Sequence, residues 1–130
     1  MARAYTVATV ALALDVESKW LDNVLTHYRV PGVLQHRQGV SRRLSSEAVF
    51  LLRIALSLSA DMGVPIGRSI DLAKKLHEGQ GSYTSGEGVA LSVDFGAFQT
   101  LVQGRLAAAV EVAPLPRRGR PPQSKTGRLE

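Results

Sequence analysis

Few side chains in this 130-residue sequence have types and spacing suited to catalysis. It contains three histidines and no cysteine, which excludes disulfides, thiolate metal sites and a cysteine nucleophile. The acidic residues are dispersed, and the serines lie mostly where helix caps and loops are expected. The glycine-rich stretch from Gly79 to Gly88 lacks the Gly-Lys-Ser/Thr ending of a phosphate-binding loop. We therefore predict a protein that is not an enzyme and holds no metal or cofactor.

The basic side chains are more informative. Lys and Arg number 16 against 11 Asp and Glu, a net charge of +5, and residues 114–130 contain five of the basic residues and one of the acidic ones. The excess charge therefore lies at the C-terminal end. Clustered cations favour binding to a polyanion, because each contact releases condensed counterions. The alternative is that this basic segment only increases solubility, and charge alone does not distinguish that role from polyanion binding.

Polar side chains also follow one face of a helix that the spacing predicts from about Ser18 to Tyr28. Apolar residues recur on one side of this helix, and the other side carries Ser18, Lys19, Asp22, Asn23, Thr26 and His27. Lysine pairs with guanine or phosphate, and asparagine pairs with the edge of adenine. Asp22 would repel phosphate unless it is paired. We predict Ser18, Lys19, Asn23, Thr26 and His27 as a DNA-facing set, with a solvated helix face as the alternative.

The flanking elements would position this helix. Thr6 can cap a preceding helix from Val7 to Leu14, and a tight corner at Asp15 and Val16 joins the two. Such a pair, with a polar outer face on the second helix, is typical of a helix-turn-helix. Next, Arg37-Gln38-Gly39 separates two strand-like runs and predicts a β-hairpin, or wing. The cations predicted near its rim are Arg37, Arg42 and Arg43, with His36 beside them.

The rest of the chain predicts more helix. Ser45-Ser46-Glu47 begins a helix that reaches Met62, and Pro65 lies in the first turn of another that reaches about His77. Residues 78–88 are predicted to be a mobile linker, 89–95 a strand and 96–112 a helix. The last helix is too apolar to stand free. We expect it to pack on the domain or on a second copy of the chain.

The predicted elements follow in the order helix, helix, wing, serine-capped helix, glycine turn and helix. Four stretches mark this order: Ala4–Val7 leads into the first helix, Val16–Lys19 forms the corner, Arg42–Glu47 closes the wing, and Met62–Ile66 lies between the last two helices. Over about residues 4–76 this order resembles the MerR-like winged helix-turn-helix family and its excisionase-type relatives. The resemblance implies that the second helix lies in the major groove and the wing on the flanking backbone. The residues it places at the DNA are Ser18, Lys19, Asn23, Arg42 and Arg43.

The sequence also departs from that family. Where MerR-type regulators tend to have arginine and tyrosine in the middle of the recognition helix, this chain has Asp22 and Asn23. The base preferences of the family therefore do not transfer. The long dimerising coiled coil and the ligand cysteines are missing as well, so metal sensing is not expected.

The C-terminal segment carries a second resemblance. Its core, Arg118-Gly119-Arg120-Pro121, resembles an AT-hook, an extended motif whose arginines lie along a narrow A·T-rich minor groove. Glycine permits close approach to the groove floor, proline keeps the flanks extended, and a narrow groove attracts arginine. A generic phosphate-binding arm and an inert linker are the alternatives. The predicted DNA-binding residues here are Arg117, Arg118, Gly119, Arg120 and Lys125.

Together these patterns predict a mainly α protein with a small β component. The expected order is a winged helix domain over 1–77, a linker over 78–88, a strand-helix unit over 89–113 and a basic tail over 114–130. The expected partners are double-stranded DNA and a second copy of the chain, with no membrane association and a place in the cytoplasm on the nucleoid. A transcriptional regulator or autorepressor is favoured. A toxin-binding antitoxin that also binds its operator, and an architectural or excisionase-type DNA binder, are the alternatives.

Overall fold

The computed structural model describes residues 4–34 and 42–112, with side chains described as far as Val110. It is mainly helical with small antiparallel sheets, which confirms the predicted fold class at that level. The helices are α1 (Val7–Leu14), α2 (Ser18–His27), α3 (Ser46–Met62), α4 (Ile66–Glu78) and α5 (Phe95–Val112). The strands are β1 (Ala4–Thr6), β2 (Val33–Leu34), β3 (Arg43–Ser45), β4 (Ser82–Thr84) and β5 (Ala90–Ser92). The helix bounds lie within about one residue of those that the sequence predicts.

Strand β3 is the centre of a three-stranded antiparallel sheet in the order β1-β3-β2. Val33 of β2 lies opposite Leu44 of β3, which confirms that the two predicted hairpin runs pair with each other. Strand β1 was not expected, and it pairs with the other edge of β3 with Tyr5 opposite Leu44. Strand β3, the second strand of the predicted wing, is therefore hydrogen-bonded to β1, the strand that leads directly into α1.

Thr6 and Ser45 each end a strand and cap the helix that follows. The Thr6 hydroxyl oxygen accepts a hydrogen bond from the backbone N–H of Thr9 at 3.1 Å, and the Ser45 hydroxyl oxygen accepts one from Ala48 at 3.2 Å. A side-chain cap of this kind stabilises a helix by roughly 1 kcal/mol. Because β1 and β3 are antiparallel, α1 and α3 leave opposite ends of the same strand pair.

A three-residue corner, Asp15 to Glu17, joins α1 to α2 where the sequence predicts it. Asp15 adopts the left-handed conformation with φ 60°, which aspartate tolerates better than most residues. The corner is closed by the N–H of Val16, which donates to the carbonyl of Ala11 at 3.0 Å. The corner turns the chain so that both short helices bury one side in the same core.

One apolar cluster runs through the described residues. Its largest fully buried side chains are Val10, Leu21, Leu44, Val49, Leu52, Ile54 and Leu76. Helix α5 joins this cluster through Val102, Leu106 and Ala109, and it packs against α1 and α3. The sequence left open whether α5 packs on the domain or on a second copy of the chain. The structure shows that the domain itself covers the face with Val102, Leu106 and Ala109.

The structure differs from the expected linker over residues 78–88. Ser82–Thr84 forms a strand that pairs with β5, and the Gly81 carbonyl accepts a hydrogen bond from the N–H of Val93 at 2.8 Å. Tyr83 anchors the hairpin because it packs against the core and lies under the ammonium of Lys75, 5.0 Å from the ring centroid. A single aromatic residue among polar and glycine neighbours is a weak sequence pattern, and its effect depends on the surface it meets.

Gly32 gives a stability prediction with a matched control. Its φ is +91°, and a Cβ there would lie 2.2 Å from the Ser45 hydroxyl oxygen, whereas Gly63 has φ +71° and open space around it. Gly63→Ala is expected to lower the free energy of unfolding by about 1–2 kcal/mol, because alanine is strained in the left-handed conformation. Gly32→Ala is expected to lower the free energy of unfolding by the same amount and by a further increment of about 0.5–2 kcal/mol, because its Cβ displaces the Ser45 cap of α3. Thermal unfolding followed by circular dichroism measures both, and equal losses would show that the cap is retained.

Candidate nucleic-acid interface

Helix α2 presents an uncovered polar face. Leu21, Val24 and Leu25 are buried in the core, and Trp20 is half-buried beside them. The exposed residues of the helix are Ser18, Lys19, Asp22, Asn23, Thr26 and His27. The structure thus brings together on one surface all five candidate residues that the sequence predicted for this helix, with Asp22 among them.

Two of these side chains are hydrogen-bonded to the helix itself. The Thr26 hydroxyl donates to the carbonyl of Asp22 at 2.9 Å, and His27 Nδ1–H donates to the carbonyl of Asn23 at 2.9 Å. Within the described part of the chain, the side chains of Lys19 and Asn23 form no hydrogen bond or ion pair. Lys19 and Asn23, together with the smaller Ser18, are therefore exposed on this face and available to an external ligand.

Arg42, which immediately precedes β3, is bonded to this face of α2. Its Nη1 forms an ion pair with Asp22 Oδ1 and also donates to the Asp22 carbonyl at 3.3 Å. Its Nη2 donates to the Thr26 hydroxyl at 3.0 Å. The Arg42 side chain is only 18% exposed, against 56% for Asp22. Arg42 was predicted as a DNA contact, and the structure places its guanidinium against α2, where it forms an ion pair with Asp22.

Arg43 lies on a different surface. Its neighbour Leu44 is fully buried, and successive side chains of a strand point to opposite faces, so Arg43 is exposed on the solvent face of the sheet. Thr6 and Leu34 are its partners in the adjacent strands. The structure therefore does not bring Arg42 and Arg43 together as one cationic pair.

The remaining predicted DNA-binding residues lie outside the residues that the structure describes. These are Arg37 in the wing and, in the tail, Arg117, Arg118, Gly119, Arg120 and Lys125. The roles proposed for them rest on the sequence.

The pairing of Asp22 with Arg42 is the feature of this surface that sequence reasoning missed. The two residues are 20 positions apart, and no local pattern connects them. The one available indication was that Asp22 and Thr26 are four residues apart and so share a helix face, which can present two acceptors to one guanidinium.

A second concave surface lies between the start of α3, the end of α4 and α5. This groove of about 220 Å³ is lined by Ser46, Glu47, Phe50, His77, Gln99, Val102 and Gln103. His77 Nε2 lies 3.7 Å from Glu47 Oε2, and the His77 ring contacts Phe50 and Phe95 edge to face or tilted. The groove is shallow, and none of the described residues that line it is a hydrogen-bonded nucleophile.

Over residues 4–34 and 42–112, no three His, Asp or Glu side chains are close enough to hold a metal ion. None of the helices in that part of the chain combines the length and apolar character that crossing a bilayer requires. Comparisons with protein-family models, curated proteins and solved structures found no match to this chain.

Proposed function

We propose that this protein binds double-stranded DNA in a sequence-specific manner, as a transcriptional regulator or autorepressor of winged helix-turn-helix type. Helix α2 enters the major groove in this proposal. The observation that carries it is the surface of α2, which is anchored in the core on one side and uncovered on the other. Within the described residues, the side chains of Lys19 and Asn23 have no partner on this surface. Arg42 forms an ion pair with Asp22, the acidic residue of α2.

The dimensions of α2 support this role. Ten helical residues span about 15 Å, and a helix with its side chains is about 10–12 Å wide, which matches the roughly 12 Å width of the major groove. Trp20, Leu21 and Leu25 hold the helix from behind. A rigidly held helix can present side chains to base edges without losing much conformational entropy on binding.

The charge distribution supports contacts beyond α2. Arg43 is exposed on the sheet, and the net charge of +5 comes mostly from residues 114–130. In the proposal, Arg37 and Arg43 contact the phosphate backbone, and the tail lies in an A·T-rich minor groove. Such contacts fix register and supply salt-dependent affinity.

A homodimer is part of the proposal, because a single ten-residue helix reads few base pairs. Its support is an uncovered apolar surface where α5 crosses α1. Leu12 is 49% exposed and Leu101 is 40% exposed, and between the helices lies a groove of about 380 Å³ that includes Gly104 and Ala108. The same surface favours the second candidate, an antitoxin that covers a small toxin. A neighbouring gene product that co-purifies at a fixed ratio would support that candidate.

The proposal is tested by selecting bound fragments from a random DNA library with the purified full chain. We expect an enriched palindrome with half-sites about one helical turn apart, bound by two chains in sedimentation and preferred over random DNA by about 10³-fold or more. Affinity should fall steeply as salt rises. A library that shows no enrichment, together with salt-independent binding, would contradict the proposal.

A further inference from the structure

Asp22 occupies the centre of the uncovered face of α2. It lies one turn beyond Lys19 and directly before Asn23, and its side chain is 56% exposed. One carboxylate oxygen, Oδ1, accepts from Arg42, whereas Oδ2 has no hydrogen-bond partner within the described residues. The face that would meet DNA therefore includes a fixed carboxylate with one oxygen still available as an acceptor.

Arg42 holds this carboxylate in place and partly neutralises its charge. Its two terminal nitrogens span one helical turn, from Asp22 to the Thr26 hydroxyl, and a third contact reaches the Asp22 carbonyl. Several acceptors together fix the orientation of the planar guanidinium, and its positive charge offsets the negative charge of the carboxylate. The phosphate repulsion expected of a lone acid on this face is therefore reduced.

We propose that Asp22 is a specificity-determining residue that accepts a hydrogen bond from the N4 amine of a cytosine in the major groove, and that Arg42 is its positioning residue. This inference rests on the proposed DNA-binding function. A carboxylate is an acceptor only, and cytosine presents a donor without an adjacent acceptor on its own edge, whereas adenine presents N7 beside its amine. Guanine presents acceptors to the major groove, which a carboxylate repels.

The primary test compares Asp22→Asn with Asp71→Asn. Asp71 is a matched control, because it is an exposed helical acid paired with Lys74 at 3.9 Å on a different helix. Affinities are measured for the selected operator, for each single base-pair substitution of it and for random DNA. For Asp22→Asn we expect cytosine preference to fall by about 5- to 100-fold at one position in each half-site, with random-DNA affinity undiminished. Asp71→Asn should leave every ratio unchanged.

Arg42→Met tests the positioning role, because it keeps the apolar stem and removes the guanidinium. We expect preference to fall at the same base pair as for Asp22→Asn, and random-DNA affinity to fall because the acid is then unpaired. The double variant should lose no more preference at that position than Asp22→Asn alone. A role limited to stability would instead lower affinity for all sequences in proportion to the loss of thermal stability, measured on the same samples.

The outcomes separate the two proposals. A wild-type chain that binds an operator, with unchanged base ratios in Asp22→Asn, overturns the role of Asp22 and leaves the proposed function standing. A wild-type chain that prefers no sequence overturns both. Loss of preference at positions scattered over the half-site, rather than at one cytosine, also overturns the role of Asp22, because the pair would then act as a scaffold for the whole helix.

Discussion

Replacing Lys19 and Asn23 together by alanine is expected to lower the preference for operator over random DNA by about 30-fold or more. Each good base contact contributes roughly 1–3 kcal/mol of discrimination, and both side chains are exposed and unpartnered within the described part of the chain. Neither side chain contributes to the core, so thermal stability should change by less than about 0.5 kcal/mol. Fluorescence anisotropy at fixed salt, on operator and random duplexes, measures the ratio.

The control for this prediction is Lys74→Ala combined with Gln103→Ala. It removes the same two kinds of group, an ammonium and a carboxamide, from α4 and α5. The control should keep the preference of the wild-type chain. If the α2 variant lost affinity equally for operator and random DNA, the helix would contact the backbone without reading bases.

Removing residues 114–130 is expected to weaken binding to all duplexes and to flatten its dependence on salt. The segment holds five cations and one acid. If three arginines each neutralise one phosphate, the slope of log affinity against log salt falls by about 3, and affinity at low salt falls by more than about 10-fold. The described core ends at Ala109, so the melting temperature should be nearly unchanged. A slope that does not change would show that the tail takes no part in binding.

A full-length variant separates the charge of the tail from its shape. Gly119→Leu keeps every cation but adds bulk where an AT-hook requires close approach to the groove floor. Preference for A·T-rich duplexes should fall while the salt slope is kept. A generic phosphate-binding arm would keep both, because phosphate contacts do not depend on that glycine.

The helices of this protein were predictable because their causes are local. Thr6 and Ser45 cap helices where the sequence indicates caps, and Gly63 ends α3 in the left-handed conformation that glycine accepts. The amphipathic spacing of α2 likewise predicted which of its sides is buried. These features depend on residues within one or two turns of each other, so a single sequence contains the information.

The features that were not predicted depend on distant residues. Strand β1 consists of three residues whose pairing partner lies about 40 positions away in β3, and β4 forms because Tyr83 meets a core surface made by other elements. A three-residue segment has no periodicity of its own. Its structure is fixed by the hydrogen-bonding edge and the apolar surface that the folded chain offers to it.

For the candidate interface, the sequence alone determined which polar residues share the outer face of α2, because a helical repeat fixes that arrangement. Only the tertiary structure decided what the acid on that face does. It brings Arg42 across 20 residues of chain to Asp22 and Thr26, and it turns Arg43 toward the solvent face of the sheet. The physical reason is that a salt bridge depends on where two backbones are placed in space, and the packing of α2 against the core and the pairing of β3 set that placement.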